Sequence, residues 1–171
     1  AIDKNLEGVI DFVKNRMASQ SIVVLASGDP LFFGIGVRLV TALGGQNVVI
    51  YPNISSVAAA FARIKEPWGN ARVVSLHGRN NESVLFSALE KENVVAVLTD
   101  RKNSPARLSR RLIEKEFVNF KMCVLESLGT TRERFNWYRL DWVAEMMFAE
   151  PNIVILKRSA EDPISFKALH L

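Results

Sequence analysis

The sequence predicts an α/β protein, on three observations. Short, largely apolar, β-branched runs such as residues 22–26 and 94–99 read as strands buried on both faces. They alternate with amphipathic segments of helical period. Gly, Pro, Asn or Ser punctuates nearly every junction. Strands alternating with helices in this way build layered folds with largely parallel sheets.

The bulk numbers agree. A chain of 171 residues, 49% hydrophobic and 23% charged, has the composition of a globular protein and can bury about 70% of its unfolded surface. No apolar run approaches the ~20 residues that cross a bilayer, and no signal peptide is visible, although the chain opens on Ala1 and not on Met. A single cysteine, Cys123, rules out an internal disulfide and fits a reducing, cytoplasmic setting. Two histidines and one cysteine do not make a metal-ligand cluster. The net charge of +4 favours an anionic partner. Aromatic residues are not interleaved with the basic ones as nucleic-acid stacking requires, and a small polyanion explains the charge equally well.

In chain order, Asp3 can cap a helix whose apolar residues Leu6, Val9, Ile10, Val13 and Met17 repeat at helical spacing. The strand at 22–26 stops at Ser27-Gly28-Asp29-Pro30, because glycine accepts positive φ and proline cannot continue a ladder. Gly34 and Gly36 open a helix over 37–43 that closes on Gly44-Gly45. Residues 47–51 read as a second buried strand. Ser55 and Ser56 hold the cap position of an Ala-rich helix over 57–64. The breaker cluster 65–70 reads as a hinge into a second unit. Beyond it come a strand at 72–76, the turn His77-Gly78-Arg79, a helix at 83–92 and a strand at 94–99. Ser104-Pro105 sets a cap before proline at the first helical position, opening a helix to about Glu116. A strand at 122–126, a turn, a returning strand at 135–138, a helix at 141–148, a strand at 153–156 and a polar tail from Ser159 complete the chain.

The stretch Leu25 to Gly36, L-A-S-G-D-P-L-F-F-G-I-G, matches neither a dinucleotide fingerprint nor a P-loop. It resembles the second motif of the tetrapyrrole (corrin/porphyrin) methylase family. Tyr51-Pro52-Asn53-Ile54-Ser55-Ser56-Val57 resembles that family's Pro-Gly-x-Ser-Ser segment, with Asn in the glycine position. Phe61-Ala62-Arg63 with Pro67-Trp68, then Val74 to Arg79, Leu98-Thr99-Asp100 with Asn103-Ser104-Pro105, and Leu125-Glu126-x-Leu128-Gly129 narrow the likeness. They are similar to the branch that methylates C5 of a precorrin in cobalamin biosynthesis. Order and spacing carry the resemblance; no single segment does.

The resemblance implies two small α/β domains, residues 1–52 and 53–158, with a cleft between them and a tail at 159–171. The family's opening strand and Gly-x-Gly-Pro-Gly loop have no counterpart here. The N-terminal domain is therefore expected to be incomplete, with an open sheet edge beside 22–26 that invites self-association and weakens cofactor binding. S-adenosylmethionine is the implied cofactor, held by Gly28, Asp29 and Phe32, by Ser55 and Ser56, by Leu98 and Thr99, and by Asn152. The serines can equally serve as helix caps. Methyl transfer to an electron-rich ring carbon needs positioning more than an activated nucleophile. A base must still take a proton; Asp100 is the candidate and Glu126 the runner-up, though either carboxylate can equally be a cap.

The implied substrate is a polyanionic tetrapyrrole, which His77 and Arg79 suit. Arg107 on the 104–116 helix suits it too, unless that basic face is simply solvated. The tryptophans read as core or dimer-interface residues, and family members pair as homodimers. A separate polypeptide is expected to carry the C15 methylation and decarboxylation of fused relatives. Two other readings stay open: another methylase of the fold, such as a diphthine synthase or a ribosomal-RNA ribose methylase, or a non-catalytic binding module.

Overall fold

In a computed structural model, residues 5–78 and 81–159 are described. The chain divides into two compact units, Ala1–Ser55 and Ser56–Leu171.

The first unit is built on two helices. α1, Leu6–Arg16, buries Ile10 and Val13, and α2, Ile35–Leu43, buries Gly36 and Leu39. The cap of α1 is Asn5, whose Oδ1 accepts from the Gly8 N–H at 2.9 Å; Asp3 lies outside the described residues. Gly44, at φ 84°, ends α2 as its sequence position predicts. The two expected strands are not formed. Residues 22–26 and 48–51 belong to no ladder, and Val23 and Leu25 are 83% and 86% exposed. Their β-branched composition favours extension, but a strand is stabilised by cross-strand neighbours. Among the described residues none pairs with them.

The second unit opens with α3, Ser56–Ile64. Lys65 at φ 57° terminates that helix, and the Glu66 N–H returns to the Phe61 carbonyl. The breaker cluster therefore ends a helix inside this unit and is not a hinge between units. β1, Arg72–Ser75; α4, Glu82–Lys91; β2, Val94–Leu98; α5, Pro105–Glu114; β3, Phe120–Glu126; β4, Arg134–Arg139; α6, Leu140–Glu145; and β5, Asn152–Arg158, follow. They form one five-stranded sheet in the order β1-β2-β5-β3-β4.

The sheet is mixed, against the expectation of a largely parallel one. Only β1 and β2 run parallel, joined by the α4 crossover that parallel pairing requires. The 127–133 turn is too short for a crossover, so β3 and β4 form a hairpin. β5 enters antiparallel to both β2 and β3.

Alternation divides the central strands between two faces. Val95, Val97, Met122, Val124, Val154 and Leu156 point to the side covered by α4, α5 and α6, where Leu85, Leu89, Leu108, Leu112, Leu140 and Val143 complete a fully apolar core. Ala96, Cys123, Leu125, Ile153 and Ile155 face the other way and are also buried; α3, carrying Phe61, packs along β5. Burial pushes the Cys123 thiol up to about 12, so it is inert at neutral pH. Among the described residues no helix is long and apolar enough to cross a membrane.

Candidate active site

The antiparallel insertion of β5 determines which residues meet. Because β5 runs against β2, its first residues lie beside the last of β2, with Leu98 opposite Ile153. Glu126, closing β3, lies opposite Asn152, and Arg134, opening β4, lies opposite Glu126. Ser75 at the end of β1 lies opposite Leu98. One end of the sheet thus gathers the 76–78 loop, the 99–103 loop, Glu126 and the start of β5. Leu98, Thr99, Asp100, Asn152 and His77, chosen from scattered positions in the sequence, come together here.

Asp100 ties the two loops. Its Oδ2 accepts from the Gly78 N–H at 2.7 Å, and its Oδ1 from the Asn103 N–H at 2.6 Å and Nδ2 at 3.1 Å. Gly78 makes its contact at φ 64°, a conformation that other residues resist. Partial burial raises the proton affinity of Asp100. The N–H groups of Gly78, Asn103 and Lys102, with the charge of His77, outweigh it and hold the carboxyl below its ordinary range. A carboxylate so placed is a fastener and a poor base. The geometry therefore weighs against Asp100 as the proton acceptor.

Asn103, quoted in a motif but not chosen as a site residue, is the buried centre of this knot: its Nδ2 also donates to the Leu76 carbonyl at 2.9 Å. Its signal was legible as Asp-x-x-Asn, the spacing of a side chain that folds back on its own turn.

Thr99 and Asn152 satisfy each other. The Thr99 hydroxyl lies 2.6 Å from the Asn152 carbonyl and 2.7 Å from its Oδ1, so one proton serves two acceptors. Asn152 Nδ2 donates to the Ala149 carbonyl at 2.9 Å. Glu126 is buried and saturated, accepting from Arg134 Nε at 2.6 Å and Nη2 at 2.8 Å and from the Ala149 N–H.

His77 differs. It is exposed, and its Nδ1 lies 3.0 Å from the Thr99 carbonyl. Arg79 lies outside the described residues. Arg107, in the first turn of α5, lines a shallow groove with Leu76 and Asn103. Of the basic residues on that helix, Arg110 donates to the Ala144 carbonyl and Arg111 pairs with Glu82 at 3.0 Å and Glu114 at 2.7 Å. Arg107 has no ion pair among the described residues.

Gly28, Asp29 and Phe32 form their own loop in the first unit. Asp29 Oδ1 accepts from the N–H groups of Leu31 at 2.8 Å and Phe32 at 3.2 Å. Gly28 sits at φ 68°, and a side chain there would meet nothing nearer than the Ile54 carbonyl at 3.9 Å. Gly34 and Gly36 are required for another reason: the Pro30 carbonyl lies 2.5 Å and 2.7 Å from where their Cβ atoms would be. Phe33 is held at φ 57°, a position a bulky residue rarely takes. Ser55 closes the first unit and Ser56 opens α3 in the second.

The sequence profile of the Tetrapyrrole (Corrin/Porphyrin) Methylases matches residues 3–141. A cobalt-precorrin-7 C(5)-methyltransferase of Salmonella typhimurium is 38% identical over 118 residues, covering 69% of this chain and 57% of the relative. A precorrin-6Y C(5,15)-methyltransferase [decarboxylating] of Sinorhizobium sp is 35% identical over 126 residues, covering 74% of this chain and 30% of that one. The chain thus spans little over half the length of the first relative and less than a third of the second. Among solved structures, the precorrin-6Y methylase of Archaeoglobus fulgidus superposes with TM-score 0.65 at 20% identity, over 92% of this chain and 73% of that one. The uroporphyrin-III C-methyl transferase of Thermus thermophilus, complexed with S-adenyl homocysteine, superposes with TM-score 0.70 at 22% identity, over 92% and 75%. These structures share the mixed α/β fold. With the profile running through both units, the chain belongs to the tetrapyrrole (corrin/porphyrin) methylase family.

Proposed function

We propose that the protein is an S-adenosylmethionine-dependent methyltransferase acting on C5 of a corrin precursor. One observation carries the reading. The Salmonella and Sinorhizobium relatives differ in name over cobalt and over position 15, yet both names specify C(5).

Residues of each unit, taken by itself, suit the cofactor's chemistry. In the first unit, the open side of Gly28 lets backbone approach a ligand closely, and Phe32 gives the loop an apolar flank. Asp29 keeps the loop in shape. In the second unit, half-buried Leu98 offers an apolar surface. Ser55 and Ser56 precede and open α3, whose first N–H groups suit a carboxylate. Thr99 and Asn152 would shape a wall and not donate, since their polar atoms are engaged with the protein. When bound, S-adenosylmethionine supplies a methyl group on a sulfonium. Exposed Arg101, Lys102 and Arg107 follow one another along 101–107 and suit the carboxylates of a polyanionic ring.

Calorimetry of the full-length protein with S-adenosylhomocysteine tests the class; micromolar affinity, about −8 kcal/mol, is expected. Transfer of a labelled methyl from S-adenosylmethionine to corrin precursors, against a diphthamide peptide and ribosomal RNA, tests the substrate. Absence of binding would sink the class. Binding with label only on a non-corrin acceptor would sink the substrate.

A further inference from the structure

We propose that His77 is the proton-accepting residue of this site, acting through Nε2. The inference rests on the methyl-transfer reading above and adds to it the group that takes the proton.

A carbonyl oxygen cannot donate. At 3.0 Å from the Thr99 carbonyl, Nδ1 must carry the hydrogen. In a neutral imidazole that tautomer leaves the lone pair on Nε2, across the ring. Nε2 has no hydrogen-bond partner among the described residues, and the side chain is exposed at the end of β1. The ring is thus anchored on one edge and open on the other.

The rival carboxylates at the same end of the sheet are not open. Asp100 accepts from backbone N–H groups on both oxygens. Glu126 accepts from Arg134 on both oxygens and from the Ala149 N–H as well. Thr99 and Asn152 are not basic.

The proton balance is simple. Adding a methyl cation equivalent to a neutral ring carbon, with C–C formation matched by C–S cleavage, leaves the product one positive charge in excess. Loss of one proton from the methylated ring restores neutrality. That proton passes to the Nε2 lone pair. The imidazolium keeps its Nδ1–H on the Thr99 carbonyl and then releases the new proton to water. Asp100 and Asn103 are positioning residues for this step, since they hold the 76–78 and 99–103 loops together.

The decisive variant is His77→Asn, whose amide can still donate to the Thr99 carbonyl but has nothing in place of Nε2. In the full-length protein, kcat for methyl transfer should fall about 10²–10⁴-fold, with S-adenosylhomocysteine affinity unchanged. The variant's pH–rate profile should differ from the parent's, because it has no base at this position. A second measurement needs neither cofactor nor turnover. Imidazole ¹⁵N spectra of the parent should show Nδ1 protonated and Nε2 bare in the neutral ring, the signal being identified by its loss in His77→Asn. An Nε2–H tautomer would overturn the proposal, as would a His77→Asn enzyme with the parent's kcat and pH profile. A parent that methylates no corrin precursor overturns the functional reading and this inference with it. An active parent beside an equally active variant overturns His77 alone.

Discussion

Two aspartates do the same work in different loops, each accepting from two backbone N–H groups. Asp29 Oδ1 takes the N–H groups of Leu31 and Phe32; Asp100 takes those of Gly78 and Asn103. Each bond of this kind, to an ionised acceptor, contributes about 1.5–3 kcal/mol. Asp29→Ala should therefore accelerate hydrogen exchange at the Leu31 and Phe32 amides and weaken S-adenosylhomocysteine binding, whereas Asp29→Asn, which keeps an acceptor oxygen, should resemble the parent. Identical behaviour of the two variants would show that the oxygen does not hold the turn. Asp100 makes a pH prediction. Its folded-state pKa is depressed, so its stabilisation is complete above the unfolded value of about 3.9 and is lost as pH falls from there through the folded value. Acid unfolding of Asp100→Asn, followed by circular dichroism, should be flatter than the parent's below that point and parallel to it above. The sequence placed Asp100 correctly at a strand end. It could not tell a tied carboxylate from an open one, because that depends on Gly78 arriving from another turn and on Asn103 closing the same one.

At the scale of elements, α2 owes its start to glycines that make room for backbone. An added Cβ at Gly34 would lie 2.5 Å from the Pro30 carbonyl and 3.0 Å from that of Asp29, and a main chain cannot swing aside as a side chain can. Gly34→Ala should cost about 1–3 kcal/mol in urea denaturation. Gly45→Ala, with nothing within 4 Å, should stay within about 0.5 kcal/mol. Equal costs would mean that the crowding at Pro30 is relieved by a loop shift. The β3–β4 hairpin offers a second contrast. Arg134 pairs with buried Glu126, while Arg139 and Asp141 are both half-exposed. Losing Arg139 should cost little, since its pair is screened by water, and losing Arg134 distinctly more, because it strands a buried carboxylate. Similar unfolding midpoints for Arg134→Ala and Arg139→Ala would refute that ranking. Most elements of the second unit were legible because their signals are local: Ser104-Pro105 announced α5, and β-branched runs announced β1, β2 and β5. The direction of β5 was not, since orientation in a sheet is a non-local choice. Residues 22–26 misled for a related reason: apolar β-branched composition records a tendency to extend, not the presence of a neighbour.

Across the whole molecule, order is distributed unequally. The second unit holds every ladder among the described residues, and its central strands are buried over most of their length. The first unit holds helices and exposed extended segments. Amide exchange should accordingly be slowest at β2, β5 and β3 and fast over 22–26 and 48–54; protection at Val23 or Leu25 equal to that at Val154 would contradict this picture. The sheet order also dictates a timetable. A ribosome delivers β1 and β2, then β3 and β4, but the strand that lies between the two pairs is the last of the five to be made. Until residue 158 has emerged, the growing chain carries two separate ribbons, each with an uncapped inner edge of valine, leucine and methionine. Synthesis therefore passes through a long interval in which the most adhesive surfaces of the protein face solvent unsealed. A nascent chain stalled before Asn152 should recruit holding chaperones that one stalled well beyond Arg158 has already shed.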